Sequence, residues 1–263
     1  MIPGRPHPQH PGFAEALRAE RIKLTTVRST WWTLATLVLI AIGGTVMLCA
    51  LNAEWLGSSE ADEAPGSFIT GGIGFAQICA VVLGTLVVTG EYGTGMIRAT
   101  LAATPTRGRV MAAKLVVVAS VLFVVGTVSA LIGYFAGNYF LDQEGVGLAL
   151  EGDVARSMYG SGLFLAGSGL FAAAVGFILR HTAATMAVVL GLMFVVSNLV
   201  MLVPGKTGEV LVDVMPGSAS SVISTPVPFN PDLLDAWTGF GVFAAETAAL
   251  LLLAWFLLRR RDA

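Results

Sequence analysis

Six long apolar runs, each free of proline, constrain what this chain can fold into. They cover approximately residues 31–51, 68–89, 110–140, 157–179, 182–203 and 236–258. A helix needs about 20 predominantly apolar residues to cross the hydrocarbon core of a bilayer, and every run reaches that length. All eleven prolines lie in the tails or in the loops between the runs. The pattern therefore predicts an all-α integral membrane protein with six transmembrane helices.

Composition excludes the main alternatives. Hydrophobic residues make up 55 % of the 263 residues and charged residues 12 %, whereas a soluble domain carries about 25 % charged residues. This balance argues against a cytosolic enzyme, a secreted domain and a disordered protein. No segment between the runs reaches the roughly 50 residues of a small soluble domain. We therefore expect a disordered, proline-rich tail over residues 1–12 and a single transmembrane domain over residues 13–263.

The basic residues predict the orientation in the membrane. If the runs alternate in direction, 13 of the 15 Lys and Arg residues fall on one side, and only Arg156 and Lys206 fall on the other. Basic residues are concentrated in the cytoplasmic loops of membrane proteins. We therefore expect a multi-pass protein of the cell (plasma) membrane with both termini in the cytoplasm.

Residues 13–30 (FAEALRAERIKLTTVRST) predict a basic helix ahead of the first run. Four apolar residues share a narrow arc at 100° per residue: Phe13, Leu17, Leu24 and Val27. Glu20 interrupts that stripe. A basic helix that precedes a span is typical of the membrane interface, and a solvated juxtamembrane helix is the alternative. Trp31 and Trp32 then begin the first run as an aromatic anchor.

No catalytic or metal-binding pattern is convincing. The segment Gly205–Thr207 (GKT) resembles the end of a phosphate-binding loop, but Val200 stands where that loop requires glycine. Cys49 and Cys79 both lie inside apolar runs, where free cysteines behave as small hydrophobes. No His, Cys or acidic cluster has metal-ligand spacing. We expect no catalytic residue, no metal, no cofactor and no nucleic-acid partner.

Glu246 is the intramembrane polar candidate, because it lies near the middle of the sixth run. An ionised carboxylate at that depth costs on the order of 3 kcal/mol on insertion scales. Glu246 either faces a substrate path or subunit seam, or it is protonated and hydrogen-bonded to another span, for example at Ser197 or Asn198. A proton relay needs several ionisable groups within the spans. A lone Glu246 therefore argues against a proton-coupled secondary transporter.

Residues 90–114 (GEYGTGMIRATLAATPTRGRVMAAK) form the most informative stretch. The chain leaves the second run with Glu91, breaks at two glycines, and is predicted to form a short helix over residues 96–103. Pro105 ends that helix. A short cytoplasmic helix joined to two spans can transmit force from a soluble partner. The alternative is an ordinary basic loop that only orients the protein.

The chain resembles the permeases of type 2 ABC exporters, in particular the short bacterial permeases encoded apart from their ATPase. Three stretches carry the resemblance: AERIKLTTVRSTWWTL (19–34), GEYGTGMIRATLAATPTRGRVMAAK (90–114) and the terminal LLLAWFLLRRRDA. The second stretch is the most specific. The spacing of the six runs fits the family along the whole chain.

The resemblance implies that two permeases, identical or different, pair around a substrate path in the lipid membrane. Each would dock on a separate cytoplasmic ATP-binding subunit through a coupling helix between spans two and three. The docking candidates carried over from the motif are Glu91, Gly95, Arg98, Pro105 and Arg107. The family also places short membrane-dipping helices in the last outer loop, here within residues 208–225, with Pro216 and Gly217 at the reversal.

The expected function is thus a transport subunit rather than an enzyme, and the partner would hydrolyse ATP. Two alternatives stay open: a membrane assembly or anchoring protein without transport activity, and a secondary transporter. An intramembrane enzyme is a weaker alternative, because no nucleophile and base are paired in the sequence. The transported substrate is not predictable from these residues, and export as the direction rests on the resemblance.

Overall fold

A computed structural model of the chain describes residues 12–96 and 107–260, and the described residues contain helices and no strand. We number the α-helices in chain order. They are α1 (Phe13–Thr26), α2 (Arg28–Leu56), α3 (Gly71–Gly93), α4 (Arg107–Gln143), α5 (Gly152–Leu179), α6 (Thr182–Val200), α7 (Lys206–Asp213), α8 (Pro216–Ser221) and α9 (Ala236–Arg260). A π-helical turn over Gly191–Val196 interrupts α6.

Six of these helices are long and apolar enough to cross a bilayer: α2, α3 with the 3₁₀ turn before it, α4, α5, α6 and α9. Each coincides with one of the six apolar runs, so the predicted all-α membrane architecture is confirmed. The protein is a multi-pass membrane protein. The helix predicted over residues 13–30 is present as α1 but ends at Thr26, because Val27 is extended, and residues 28–30 belong to the first turn of α2.

Helices α3 and α5 form the centre of the bundle. In their most apolar windows, 61 % of the residues of the α3 span and 72 % of those of α5 are buried, against 22 % for α2, α6 and α9. The two central helices touch where a Cβ atom on Gly84 would collide with the backbone of Gly169. Small residues permit this close approach of helix backbones in membranes. The peripheral helices leave apolar side chains exposed, as lipid contact requires.

The loop between α6 and α9 is partly folded into the bundle. Pro216 begins α8 at a position where its missing N–H is not needed. A side chain on Gly217 would collide with the carbonyl group of Met193 in the π-helical turn of α6. The Arg156 guanidinium donates hydrogen bonds to the carbonyl oxygens of Ile223 and Thr225 at 2.9 and 3.1 Å. Two short helices, α7 and α8, thus occupy the loop where the resemblance places membrane-dipping helices, and α8 packs against α5 and α9.

Candidate functional site

Five chain segments meet at one end of the bundle, which we call the basic end. These are α1, the end of α3, the start of α4, the α5–α6 turn and the end of α9. Arg107 at the start of α4 donates a hydrogen bond of 2.7 Å to the carbonyl oxygen of Leu258 in α9. Arg180 in the α5–α6 turn lies over the ring of Tyr92, 5.1 Å from its centroid. The basic segments predicted to share one side of the membrane are therefore neighbours in the fold.

Four charged side chains form a closed cycle at the basic end, which we call the ionic ring: Glu20, Lys23, Glu91 and Lys114. Lys114 Nζ lies 2.7 Å from Glu20 Oε2 and 3.0 Å from Glu91 Oε1. Lys23 Nζ lies 2.9 Å from Glu20 Oε1 and 2.8 Å from Glu91 Oε1. Each charge thus contacts two charges of the opposite sign, and the ring joins α1, α3 and α4.

The ring forms because helical spacing brings its members to facing surfaces. Ala16, Glu20 and Leu24 follow one another at four-residue intervals and form the buried face of α1, and α1 packs mainly against α4. Glu91 lies in the last turn of α3, and Lys114 lies two turns into α4. The long side chain of Lys114 therefore reaches both carboxylates.

The ionic ring is largely buried, so each of its charges needs a partner of the opposite sign. The side chains of Glu20, Glu91 and Lys114 are less than a tenth exposed, and that of Lys23 is 32 % exposed. Burial lowers the pKa of Lys23, but its hydrogen bonds to Glu91 and Glu20 outweigh burial, so the pKa is raised above its ordinary value. Removal of one partner from a buried ion pair leaves a charge without compensation and is strongly destabilising.

The structure places the five docking candidates in two settings. Glu91 points into the ionic ring and Arg107 reaches α9, so both side chains are engaged within the chain. Gly95 follows α3 with a φ of 70°, a conformation that L side chains rarely adopt. Arg98 and Pro105 lie outside the described residues, as does most of the predicted coupling helix. The structure thus describes both ends of the segment and leaves the docking surface itself a prediction.

The apolar stripe of α1 is only partly the face that packs against the bundle. Phe13 and Val27 are exposed, whereas Glu20 is buried. Glu20, which interrupts that stripe in the sequence, lies at the centre of the buried face of α1. The reason is tertiary: Lys114 of α4 neutralises it. A buried charge between Ala16 and Leu24 has no signature in the pattern of one helix.

Glu246 has no comparable partner. Its buried Oε2 atom makes no hydrogen bond to any described residue. Ser197 and Asn198, the partners considered from the sequence, instead donate to the carbonyl oxygens of Leu192 and Phe194 in their own helix. Within residues 12–96 and 107–260, Glu246 Oε2 therefore lacks the hydrogen bond to another span that would stabilise a protonated carboxyl group.

A polar contact that the sequence reasoning missed lies in the bundle interior. The Gln77 side chain of α3 is buried, and its Nε2 atom donates to Ser168 Oγ at 3.0 Å and to Met193 Sδ at 3.6 Å. This contact connects α3, α5 and the π-helical turn of α6. The available signal was a lone glutamine inside an apolar run. Among the described residues, no group of His, Cys, Asp and Glu could hold a metal ion.

Comparison with protein-family models and with curated protein sequences finds no match. The function must therefore be argued from the residues and their geometry.

Proposed function

We propose that this chain is the membrane-spanning permease subunit of an ATP-driven ABC exporter of the type 2 class. It would form the substrate path and couple to a separate ATP-binding subunit. The observation that carries the proposal is the ionic ring, because it holds both ends of the family-like segment 90–114 in a fixed frame. The resemblance of that segment to the coupling region of the family supplies the identity of the partner.

The frame has the connections that force transmission needs. Glu91 is near the start of segment 90–114, in the last turn of α3, and Lys114 is its last residue, two turns into α4. The ion pair between Glu91 and Lys114 brings the two ends of the segment together. Glu20 of α1 joins this pair through its own contact with Lys114. Arg107 extends the connection to α9. A force applied to the segment would therefore be transmitted to α1, α3, α4 and α9 together.

This arrangement divides the five docking candidates by role. Gly95, Arg98 and Pro105 belong to the part of the segment that would meet the ATP-binding subunit. Glu91 and Arg107 would hold that part in place from inside the permease. Family members act in pairs, so we also propose a second permease copy, identical or different, in the same membrane. The distribution of basic residues supports cytoplasmic termini, and the resemblance to bacterial permeases supports the plasma membrane.

The experiment is copurification of the ATP-binding subunit with the tagged permease. We expect Arg98→Glu to leave permease abundance in membranes normal, because the apolar runs are unchanged, and to lower retention of the ATPase. Reversal of a charge at a packed contact costs up to several kcal/mol, whereas a rim pair costs little. The matched control is Lys206→Glu, which reverses an exposed charge that we expect on the opposite side of the membrane.

Undiminished ATPase retention and transport in Arg98→Glu would contradict the docking assignment of this residue. Absence of any copurifying ATPase with the unmodified permease, when both are expressed from neighbouring genes, would contradict the exporter function. That second result would favour the membrane anchor instead. Charge reversal at Glu91 is unsuitable for this purpose, because it would break the ionic ring.

A further inference from the structure

The last turns of α9 carry two stacks of an arginine on an aromatic ring. The Arg259 guanidinium lies over the ring of Trp255, 3.8 Å from its centroid, and that of Arg260 lies over the ring of Phe256, 4.1 Å from its centroid. Each arginine follows its ring by four residues, the spacing at which helical side chains meet. We call these four residues the arginine–aromatic surface.

A neighbouring helix limits the motion of the first stack. Trp255 packs against the start of α4, where a Cβ atom on Gly108 would lie 3.2 Å from the indole Nε1 atom. Glycine at this position therefore lets the indole approach the α4 backbone closely. Because the same ring lies under Arg259, the position of the guanidinium depends on the packing of α9 against α4.

The two arginines have no carboxylate partner among the described residues. Arg259 and Arg260 are exposed, and neither belongs to an ion pair of the described chain. Glu20 and Glu91, the buried acids of the basic end, are already paired with the lysines of the ionic ring. A guanidinium that stacks on a ring keeps the N–H groups of its edge for an acceptor. The surface therefore presents two N–H forks to an anion.

The arginine–aromatic surface continues into apolar side chains at the edge of the bundle. Trp255 and Phe256 are 37 % and 45 % exposed, and Leu252 and Leu253, about one turn earlier, are 65 % and 46 % exposed. Four residues of an α-helix span about 6 Å, so the cationic and apolar parts are adjacent. A soluble anion would use only the guanidinium groups, whereas a phospholipid matches both parts. This adjacency selects a lipid as the occupant.

We propose that the arginine–aromatic surface binds an anionic phospholipid. Its phosphate accepts hydrogen bonds from the edges of Arg259 and Arg260, its glycerol region lies beside the two rings, and its acyl chains lie along Leu252 and Leu253. The inference needs only the membrane-spanning fold and does not rest on the proposed transport function.

Two lipid probes with identical acyl chains test the charge of the headgroup. Phosphatidylglycerol and phosphatidylcholine share the phosphodiester group, but phosphatidylcholine adds a trimethylammonium group that the guanidinium groups would repel. The measurement is native mass spectrometry of the purified full chain, incubated with equal amounts of both lipids. We expect retention of phosphatidylglycerol to exceed that of phosphatidylcholine at least about tenfold, as expected for two arginines close to one anionic lipid.

A charge-conserving variant tests the forks themselves. Arg259→Lys combined with Arg260→Lys keeps both positive charges but replaces the flat forks by ammonium groups. Retention of phosphatidylglycerol should fall about fivefold, as expected for the loss of one net hydrogen bond. The matched control is Arg18→Lys combined with Arg21→Lys, which makes the same change at two exposed arginines of α1. This control should leave retention unchanged.

A second pair of variants tests the ring. Trp255→Leu removes the support of Arg259, whereas Trp237→Leu makes the same change near the other end of α9. We expect Trp255→Leu to weaken retention of phosphatidylglycerol and Trp237→Leu to preserve it. If the melting temperature shows that Trp255→Leu does not fold, the double lysine variant, which leaves both rings in place, decides.

Three results would overturn the proposal. Equal retention of phosphatidylglycerol and phosphatidylcholine by the unmodified chain would exclude a preference for an anionic lipid. Unchanged retention in the double lysine variant of α9 would show that net charge, and not the stacked forks, decides binding. An equal loss in the α1 control would show that all arginines of the basic end contribute alike, so that α9 carries no distinct site.

Discussion

Glu91 and Glu246 are two carboxylates on spanning helices, and the chain treats them in opposite ways. Glu91 lies at the basic end, where two lysines from different helices contact one of its oxygens. Glu246 lies in the middle of α9, which is among the least buried spans, and its buried oxygen has no partner among the described residues. Glu91 thus connects the three helices α1, α3 and α4, whereas Glu246 is a half-buried side chain of α9.

The difference shows how a membrane bundle tolerates charge. At the basic end, charges of opposite sign from α1, α3 and α4 compensate one another, so their burial contributes to a defined arrangement of helices. In the middle of α9, no described cation compensates the carboxylate. A carboxylate held there without a partner is a candidate for function rather than for stability. The two regions should therefore respond differently to substitution.

The largest effect is expected for Lys114→Met, which removes the most buried cation of the ionic ring. Glu20 and Glu91 would then share only Lys23. Loss of one partner from a buried pair costs about 3–5 kcal/mol, so the melting temperature in detergent and the abundance in membranes should both fall clearly. Lys206→Met is the control, because Lys206 is exposed and surface changes stay within about 0.5 kcal/mol. Equal behaviour of the two variants would show that the ring does not stabilise the bundle.

A smaller effect is expected for Lys23→Met, because Lys23 is 32 % exposed and Lys114 still compensates both carboxylates. The loss should be about 1 kcal/mol. Since the pKa of Lys23 is raised above its ordinary value of 10.5, its contribution is fully present below pH 10.5 and is lost as the pH rises through the higher folded-state pKa.

Thermal melting measured from pH 8 upward tests that pH dependence. The difference in stability between the unmodified chain and Lys23→Met should shrink above the ordinary pKa. A difference that stays constant, or that grows with pH, would contradict the contribution of the protonated ammonium group. Lys206→Met again serves as the control for the loss of a lysine.

The smallest effect on stability is expected at Glu246. Glu246→Leu removes a buried oxygen that has no hydrogen-bond partner in the part of the chain that the structure describes, so it should leave stability unchanged or raise it, by on the order of 0–3 kcal/mol. Glu246→Gln should be equally well folded. Melting temperature and membrane abundance measure this, and transport measured in parallel shows whether the carboxylate acts in function. Destabilisation by Leu with tolerance of Gln would reveal a structural hydrogen bond and remove the contrast with Glu91.

The sequence pattern was sufficient to predict the spans. Backbone N–H and C=O groups in lipid must form hydrogen bonds within the protein, so an apolar run of about 20 residues folds into a helix. Residues 68–89 and 236–258 were placed on spans for this reason, and the structure extends both by only a few residues. Glu91 and Arg107 could also be singled out, from a segment with family-like spacing. Their contacts could not, because each partner lies on another helix.

The apolar runs and their flanking tryptophans and arginines thus follow from the sequence, since transfer from water to lipid acts on each segment separately. The interior is different, because it depends on which helix faces which. Helices α3 and α5 resemble the peripheral spans in hydropathy, yet they occupy the centre, where Gly84 meets Gly169. The contact of Glu20 with Lys114 joins residues 94 positions apart. A pairing of that kind arises only when packing brings two surfaces together, and no local periodicity encodes it.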